Sequence, residues 1–197
     1  MKRTALLLAF LLVSTMAFSQ EPEQTEPLTH RDISKNELSL NVFNVLIFGA
    51  IDASYERILN DHSSLSLEIF SKALDKNEGE EIDLAEAYSK EFSVTTKFKY
   101  FFRENKAAHG FYAEAFGMFS DGWTDKEVEV TTEDGSIFLQ EVDVEYTDFA
   151  LGFGVGGKFV SKNGFLIDLS FGIGRNLFNR DSPDLVVLPN INVGYRF

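Results

Sequence analysis

The feature of this chain that most constrains its fold is a period-two alternation of apolar and polar residues that recurs along the 197 residues. Between Phe92 and Phe102, one parity is dominated by Phe, Val and Tyr, while the other is mostly Ser, Thr and Lys. Successive side chains of a β-strand point to opposite faces, so this alternation predicts strands with one apolar face. Eight strands are predicted: Glu37–Phe48, Ile51–Leu59, Ser64–Ser71, Phe92–Phe102, Phe111–Phe119, Thr147–Phe159, Phe165–Arg175 and Val186–Phe197.

The connections between these strands alternate between short and long. Residues 60–63, 103–110 and 161–164 form short polar turns, whereas residues 72–91 and 120–146 form long connections. Most predicted strands approach the roughly 9–11 residues with which a tilted strand crosses a bilayer. The pattern predicts an all-β fold over residues 37–197, an eight-stranded antiparallel up-and-down transmembrane β-barrel with its short turns on one side.

The N-terminal residues have the composition of a secretory signal. Lys2 and Arg3 precede an apolar run, and Ala17 and Ser19 fit a cleavage site, so residues 1–19 are predicted to be a signal peptide. Residues 20–36 are polar and are predicted to be a periplasmic leader. The chain has no Cys, which excludes disulfides, thiolate metal sites and a lipid-bearing cysteine.

Alternation alone does not say which face of a barrel is outside, because a soluble lipocalin-like barrel hides its apolar face and a membrane barrel exposes it. Glycines on the polar face fit the narrow lumen of an eight-stranded barrel. Aromatic residues gather at the strand ends nearest the short turns, as in a membrane-interface girdle: Tyr100, Phe102, Phe111, Phe159, Phe165, Tyr195 and Phe197. Charges of both signs on the polar face predict a lumen ion-pair network: Glu56, Glu68, Lys97, Lys99, Glu114, Asp148, Lys158, Asp168 and Arg196.

The signal, the eight strands, the connection pattern and the final Tyr-Arg-Phe together resemble the small outer-membrane β-barrel proteins of Gram-negative bacteria, of the OmpA, OmpX and OmpW type. The resemblance covers residues 37–197. It implies a bacterial outer-membrane location, with both termini in the periplasm and lipid and lipopolysaccharide around the barrel. It also implies that Phe197, with Tyr195, is read by the barrel-assembly machinery, and we expect the barrel to be a monomer.

The excess negative charge is concentrated in the connections predicted to face outward. Residues 72–91, 120–146 and 176–185 together carry 5 basic and 18 acidic residues. Acidic loops favour solubility or contact with cations, but no calcium-loop spacing is present, so no metal or other cofactor is expected. An acidic chain also disfavours nucleic acid as a partner.

The longest connection alternates on both sides of Glu133-Asp134-Gly135, a sequence typical of a hairpin turn. This predicts a projecting hairpin over about residues 126–146, available to an extracellular partner or closing the barrel mouth. Its candidate interaction residues are Trp123, Val128, Val130, Asp134, Gly135 and Phe138.

A catalytic function is not favoured by the positions of the histidines. His30 lies in the leader, and His62 and His109 lie in predicted periplasmic turns, away from an outer-leaflet substrate. The sequence therefore favours a non-enzymatic envelope scaffold or a surface adhesion and interaction protein. A narrow channel or small-solute transporter is the alternative; a lipid A-modifying enzyme and a soluble lipocalin-like binder rank below it.

Overall fold

The first and last strands of the chain pair with each other and close the sheet. The computed structural model is a barrel of eight antiparallel strands, and it describes residues 34–72, 90–102, 107–131, 137–179 and 181–197. The elements, in chain order, are β1 (Asn36–Asn41), α1 (Val42–Phe48), β2 (Ala50–Ile58), β3 (Ser63–Lys72), β4 (Lys90–Phe101), β5 (Gly110–Thr131), β6 (Ile137–Val160), β7 (Phe165–Asn176) and β8 (Leu185–Arg196). The predicted eight-stranded antiparallel barrel is confirmed.

Closure occurs between β1 and β8, in a register that runs from Glu37 opposite Arg196 to Asn41 opposite Asn192. Phe197 continues this ladder, since its N–H and C=O both bond to the backbone of Asn36. We call the end of the barrel that carries the 59–62 and 161–164 turns the turn end, and the opposite end the hairpin end.

The prediction of a first strand through Phe48 is wrong, because residues 42–48 form the helix α1. The Asn41 side-chain oxygen accepts hydrogen bonds from the N–H groups of Phe43, at 3.1 Å, and Asn44, at 3.4 Å, which begins the helix. Gly49, at a φ of 62°, ends it in the left-handed conformation that glycine adopts without steric cost. An apolar run this short does not distinguish a strand from a buried helical turn by periodicity.

The strands β5 and β6 are much longer than their neighbours. Their pairing begins at Gly110 opposite Lys158 and continues to Thr131 opposite Ile137. β4 accompanies β5 only as far as Gly122, and β7 accompanies β6 only as far as Ala150. Beyond those residues the two strands pair only with each other in the described part of the chain, so the predicted hairpin is a continuation of the barrel wall.

The two faces of the wall differ in polarity in the direction expected for a membrane barrel. Residues such as Phe111, Phe153 and Val155 point outward and are 80%, 74% and 65% exposed, respectively. The inward parity is polar or charged over much of its length and is almost entirely buried. Among the described residues, no helix is long and apolar enough to cross a membrane. The predicted signal peptide and most of the predicted leader lie outside the described residues.

Candidate functional site

The lumen contains a cluster of ion pairs centred on Glu56. Its carboxylate accepts hydrogen bonds from Lys99 Nζ at 2.9 Å, from Lys158 Nζ at 2.5 Å and from Ser64 Oγ at 2.6 Å. β2, β3, β4 and β6 each supply one of these side chains, because residues of one parity on every strand share the inner face. All four are buried. The cluster therefore ties strands that are not adjacent in the sheet.

Asp168 extends this cluster across the lumen to β7. Its carboxylate accepts a hydrogen bond from Lys99 Nζ at 2.7 Å and another from the Tyr112 hydroxyl at 2.6 Å. Lys158 Nζ lies 3.9 Å from the same group. Each buried charge thus faces a charge of opposite sign, which is the condition under which charges are tolerated away from water.

The turn end of the lumen is closed by Arg196 and the connection before β5. Glu37 accepts hydrogen bonds from Lys158 Nζ and from Arg196 Nε, each at 2.6 Å. The Arg196 guanidinium also donates to the carbonyls of Ala107 and Ala108, at 2.9 and 2.8 Å. These two alanines are buried in an apolar cluster with Ile58, Phe101 and Tyr112. Ala107 and Ala108, which precede β5, therefore cover this mouth of the lumen.

A second polar cluster lies nearer the hairpin end. Lys97 Nζ donates to Glu68 at 2.6 Å. Asp52 accepts hydrogen bonds from the amides of Asn41, at 3.0 Å, and Asn44, at 2.5 Å. Asn41 also donates to the Asn190 side-chain oxygen at 2.9 Å. This cluster joins α1 to β2 and β8 at the level where β1 has ended.

Glycines on the inner face of β6 make room for large side chains from β5. A Cβ on Gly152 would overlap the Phe116 ring, and one on Gly156 would overlap the Tyr112 ring. Phe116 also packs with Met118, Ala150, Val186 and Leu188 in an apolar cluster of the hairpin half. The inward glycines therefore receive aromatic side chains and do not leave an open bore.

A small pocket remains at the hairpin end, between Lys90, Met118, Tyr146 and Leu188. Its volume is about 10 Å³, which is close to the minimum needed for one water molecule. The ion pairs around Glu56 are therefore enclosed between two apolar clusters, one at the turn end and one in the hairpin half.

The Glu114 carboxylate differs from the other lumen charges. It is buried, and neither oxygen has a hydrogen-bond partner among the described residues. It lies against Gly154, where an added Cβ would overlap it. It is thus a lumen charge, as predicted, without the direct contacts that Glu56 and Asp168 make.

The structure places Asp148 apart from the ion-pair network to which the sequence assigned it. Its carboxylate accepts hydrogen bonds from the N–H groups of Phe178 and Asn179, each at 3.0 Å, and from Ser182 Oγ at 2.5 Å. It therefore anchors the connection between β7 and β8 to the rim. Asp148 is buried and points inward, as the alternation indicated. At this position, however, β6 lies closer to the hairpin end than the ion pairs around Glu56.

The predicted girdle residues share an outward position near the turn end. The exposed fractions of their side chains run from 46% for Phe165 to 80% for Phe111. Phe165 lies opposite Tyr195 in the β7–β8 register, and the rings of Tyr100 and Phe102 are 5.9 Å apart in an edge-to-face arrangement. Phe159 and Phe197 are exposed at the same end. The aromatic residues thus form a band at this end.

The hairpin beyond the wall has faces of different composition. One face carries Trp123 and the acidic residues Asp143 and Glu145, all exposed. The register places Val128 opposite Gln140 and Val130 opposite Phe138. Val142 and Val144 alternate along β6 with Asp143 and Glu145 and lie on the other face. Asp134 and Gly135 lie outside the described residues.

On β6, the parity that faces the lumen nearer the turn end therefore carries Val142 and Val144 in the hairpin, and the outward parity carries Asp143 and Glu145. This reversal begins near Trp123 and Tyr146. An outward acidic face does not suit contact with acyl chains, so the reversal marks where the wall ceases to be an apolar belt.

Sequence reasoning missed several residues of the lumen clusters. Glu37 lies opposite Glu56 in the β1–β2 register, and Asp52 lies on the same face of β2 as Glu56. Extending the alternation along these two strands would therefore have found both residues. Asn41 and Asn44 gave no such signal, because their roles depend on α1. Lys90 was placed in a loop but lies buried on β4, with Nζ 4.4 Å from the Phe70 ring centroid. Within the described ranges, no cluster of three or more His, Asp or Glu side chains could hold a metal ion.

Comparisons with known proteins give little beyond the fold. No family model matches the chain, and no curated protein matches it. Among solved structures, it is similar to the N-terminal β-barrel domain of Pseudomonas aeruginosa OprF, with 10% sequence identity and a TM-score of 0.42, over 84% of this chain and 98% of that one. What the chain's own topology shows is a closed antiparallel barrel of eight strands, with its charged residues inside and its apolar residues outside.

Proposed function

We propose that this chain is a non-enzymatic barrel of the bacterial outer membrane that acts at the cell surface through its hairpin. The distribution of polarity supports the membrane half of the proposal. Large exposed apolar side chains surround the barrel, whereas a soluble protein rarely exposes a contiguous apolar patch of more than a few hundred Å². A soluble lipocalin-like barrel would have the opposite arrangement.

The orientation follows from the connections. In outer-membrane barrels the short turns face the periplasm and the long loops face outward. The turn end, with both strand termini Asn36 and Phe197, then lies in the periplasm, and the hairpin projects from the cell. The girdle residues lie at the inner interface, and Trp123 lies near the outer one.

The hairpin is the single observation that carries the interaction half of the proposal. Nine residues of β5, from Trp123 to Thr131, continue beyond the last pair with β4, a length of roughly 30 Å at the rise of an antiparallel strand. Both edges of this ribbon lack a neighbouring strand in the described chain. Backbone groups on a free edge can pair with a strand from another protein, so the hairpin provides a docking element for a partner.

A sealed lumen supports a scaffold over a channel. The ion pairs around Glu56 are enclosed at the turn end by Phe101 and Ala108, and in the hairpin half by Phe116 and Leu188. A conducting path would have to displace these side chains. The histidines give no support to catalysis at the outer leaflet, since His62 and His109 both lie at the turn end.

The test begins with location. A protease site inserted between Asp134 and Gly135 should be cleaved on intact Gram-negative cells that display the chain, and the barrel should fractionate with the outer membrane. Cleavage only after the outer membrane is opened would contradict the orientation, and recovery in the soluble periplasm would contradict the membrane assignment.

Function is then tested with a variant that lacks residues 126–146. We expect this variant to insert with the yield of the wild type but to lose attachment of cells to one another or to immobilised matrix protein and polysaccharide. Replacement of the same segment by a flexible Gly-Ser linker of equal length controls for loop length. Unchanged attachment in both variants would overturn the interaction role.

A further inference from the structure

A groove on the outer wall lies where α1 replaces the missing part of β1. β1 ends at Asn41, opposite Asn192 of β8, whereas β8 continues seven residues further toward the hairpin end, to Leu185. The helix contacts both β2 and β8. Its Phe43 side chain borders the outward residues of the neighbouring wall, and we call it the overhang. The groove, of about 390 Å³, is lined by Phe43, Val155, Leu169, Phe171, Pro189 and Ile191, with Ser170 and Asn190 at its base.

Unpaired backbone N–H and C=O groups on the free edge of β8 would make this groove polar. At the two lining residues Pro189 and Ile191, however, these groups are either absent or in contact with the Asn41 side chain. Odd-numbered residues of β8 direct their N–H and C=O toward β1, as Phe197 shows by bonding to Asn36. Pro189 has no N–H to leave unpaired. The Ile191 N–H donates to the Asn41 side-chain oxygen at 3.3 Å, and the Asn41 amide lies 3.5 Å from the Pro189 carbonyl.

The position of Pro189 differs from that expected for a strand paired on both sides. In a central strand a proline costs a ladder hydrogen bond, which would place it at the rim. Here its nitrogen faces the side of β8 that has no paired strand, and the residue lies four pairs from the end of the β7 register at Leu185. The edge therefore offers an apolar surface where a strand would normally offer a donor.

The overhang is held in place from inside the barrel. Asn41 and Asn44 both donate to Asp52, and Asn41 also donates to Asn190. The Phe43 ring packs edge to face against Phe48, with centroids 6.0 Å apart. The groove is thus bordered by a helix whose two ends are capped and whose Asn44 side chain is hydrogen-bonded to Asp52.

We infer that this groove binds one acyl chain of a membrane lipid. The inference rests on the proposed membrane location, because it is the lipid-facing belt that brings acyl chains to this surface. The groove is continuous with that belt: Val155, Phe171 and Pro189 are paired across β6, β7 and β8, and the girdle residues Phe165 and Tyr195 pair six register positions closer to the turn end. The groove is open toward the surroundings of the barrel, and its lining has no charged side chain to attract a polar ligand.

The test measures lipid retained by the purified full-length barrel after reconstitution with phosphatidylethanolamine and phosphatidylglycerol, extraction into mild detergent and native mass spectrometry. The wild type is expected to retain one phospholipid. Phe43→Ala, which removes the overhang, and Val155→Trp, which fills the groove, should each lower the retained fraction about tenfold. Phe153→Trp is the matched control, since it lies two residues away on the same face of β6 and outside the groove; its retention should equal that of the wild type.

Equal retention by all four proteins, retention of detergent only, or an equal loss in the Phe153→Trp control would overturn the inference. Insertion is measured separately for each variant by heat-modifiable migration and by protease protection in the vesicles. Normal insertion without groove-dependent retention overturns the acyl-chain site alone. A wild-type chain that does not insert overturns both this site and the proposed membrane location.

Discussion

At the scale of single residues, the lumen shows how charges are made tolerable inside a narrow barrel. Glu56 lies between Lys99 and Lys158, and each of these lysines has a further carboxylate, Asp168 for Lys99 and Glu37 for Lys158. Removing one partner of a buried pair leaves an uncompensated charge, which costs more than the pair itself contributes. The shared partners mean that no single removal leaves a lysine wholly unpaired.

We therefore expect Glu56→Gln to lower the free energy of unfolding by about 3 kcal/mol, the lower end of the range for a broken buried pair. Urea unfolding of the barrel in lipid vesicles, followed by the fluorescence of Trp123, measures this change. The loss is expected because the amide keeps the shape of the carboxylate but carries no charge to compensate the ammonium groups of Lys99 and Lys158.

Glu114→Gln is the matched control for this prediction. Glu114 is equally buried, but its carboxylate makes no hydrogen bond within the described part of the chain. Neutralising it should change the free energy of unfolding by less than about 1 kcal/mol in either direction, because no charge-assisted bond is lost. A loss as large as that of Glu56→Gln would show that the general field of the lumen matters more than the individual contacts.

At the scale of elements, the part of β6 in the hairpin has two kinds of backbone N–H: those that bond to β5 and those that point to the free edge of the ribbon. Odd-numbered residues of β6 direct their backbone toward the β7 side, as the bond from the Leu177 N–H to the Phe149 carbonyl shows. Beyond β7, Asp143 therefore directs its N–H to a free edge, whereas Val142 directs its N–H to β5. A proline at each position tests the two roles separately.

Asp143→Pro should leave the ribbon intact, because it removes no ladder bond, while Val142→Pro should break the ladder. Limited proteolysis of the displayed barrel measures this: Val142→Pro should be cut in the ribbon well before the wild type, and Asp143→Pro should resemble the wild type. If a partner adds a strand to the β6 edge, Asp143→Pro should nevertheless lose attachment.

Equal proteolysis of the two proline variants would contradict the assignment of the edges. Normal attachment by Asp143→Pro, with its ribbon intact, would exclude the β6 edge as the docking edge and leave the β5 edge or a face of the ribbon.

The elements also show which parts of the fold can be read from sequence. Seven strands were predicted near their observed positions, because alternation such as that of β4 records directly which side chains point outward and which point into the lumen. The end of β1 was not predictable by that signal, since Val42–Phe48 is apolar in nearly every position. What decides the helix is a cap at Asn41 and an interior partner for Asn44, and that partner, Asp52, is known only once the wall has closed.

For the candidate site, the inward position of the charged residues was predictable from the sequence, but their pairing was not. Inward parity was enough to place Glu56, Lys99 and Asp168 in one lumen, but not to say which ones touch. Asp148 shares that parity and is held by the β7–β8 connection instead. Pairing depends on the stagger between strands, which the hydrogen-bond register sets and the alternation of one strand does not record.

At the scale of the whole molecule, the question is whether the barrel conducts. The wall leaves an interior that Tyr112 and Phe116 occupy against the inward glycines of β6, between closures at the turn end and in the hairpin half. An ion crossing the membrane would have to displace these rings and separate the ion pairs around Glu56. Separating these pairs leaves buried charges without a partner, which is costly in an interior of low dielectric constant.

We accordingly expect the purified wild-type barrel to show no steady openings in planar lipid bilayers. The double variant Tyr112→Ala with Phe116→Ala should show measurable openings, because it removes the rings from the glycine-lined wall. Phe111→Ala with Phe119→Ala is the matched control: it removes two rings from the same strand, but both point outward and are 80% and 49% exposed, so that variant should stay silent. Steady ion-selective openings by the wild type would contradict the sealed lumen and favour the channel alternative. Openings in both double variants would instead show that loss of aromatic residues loosens the wall as a whole.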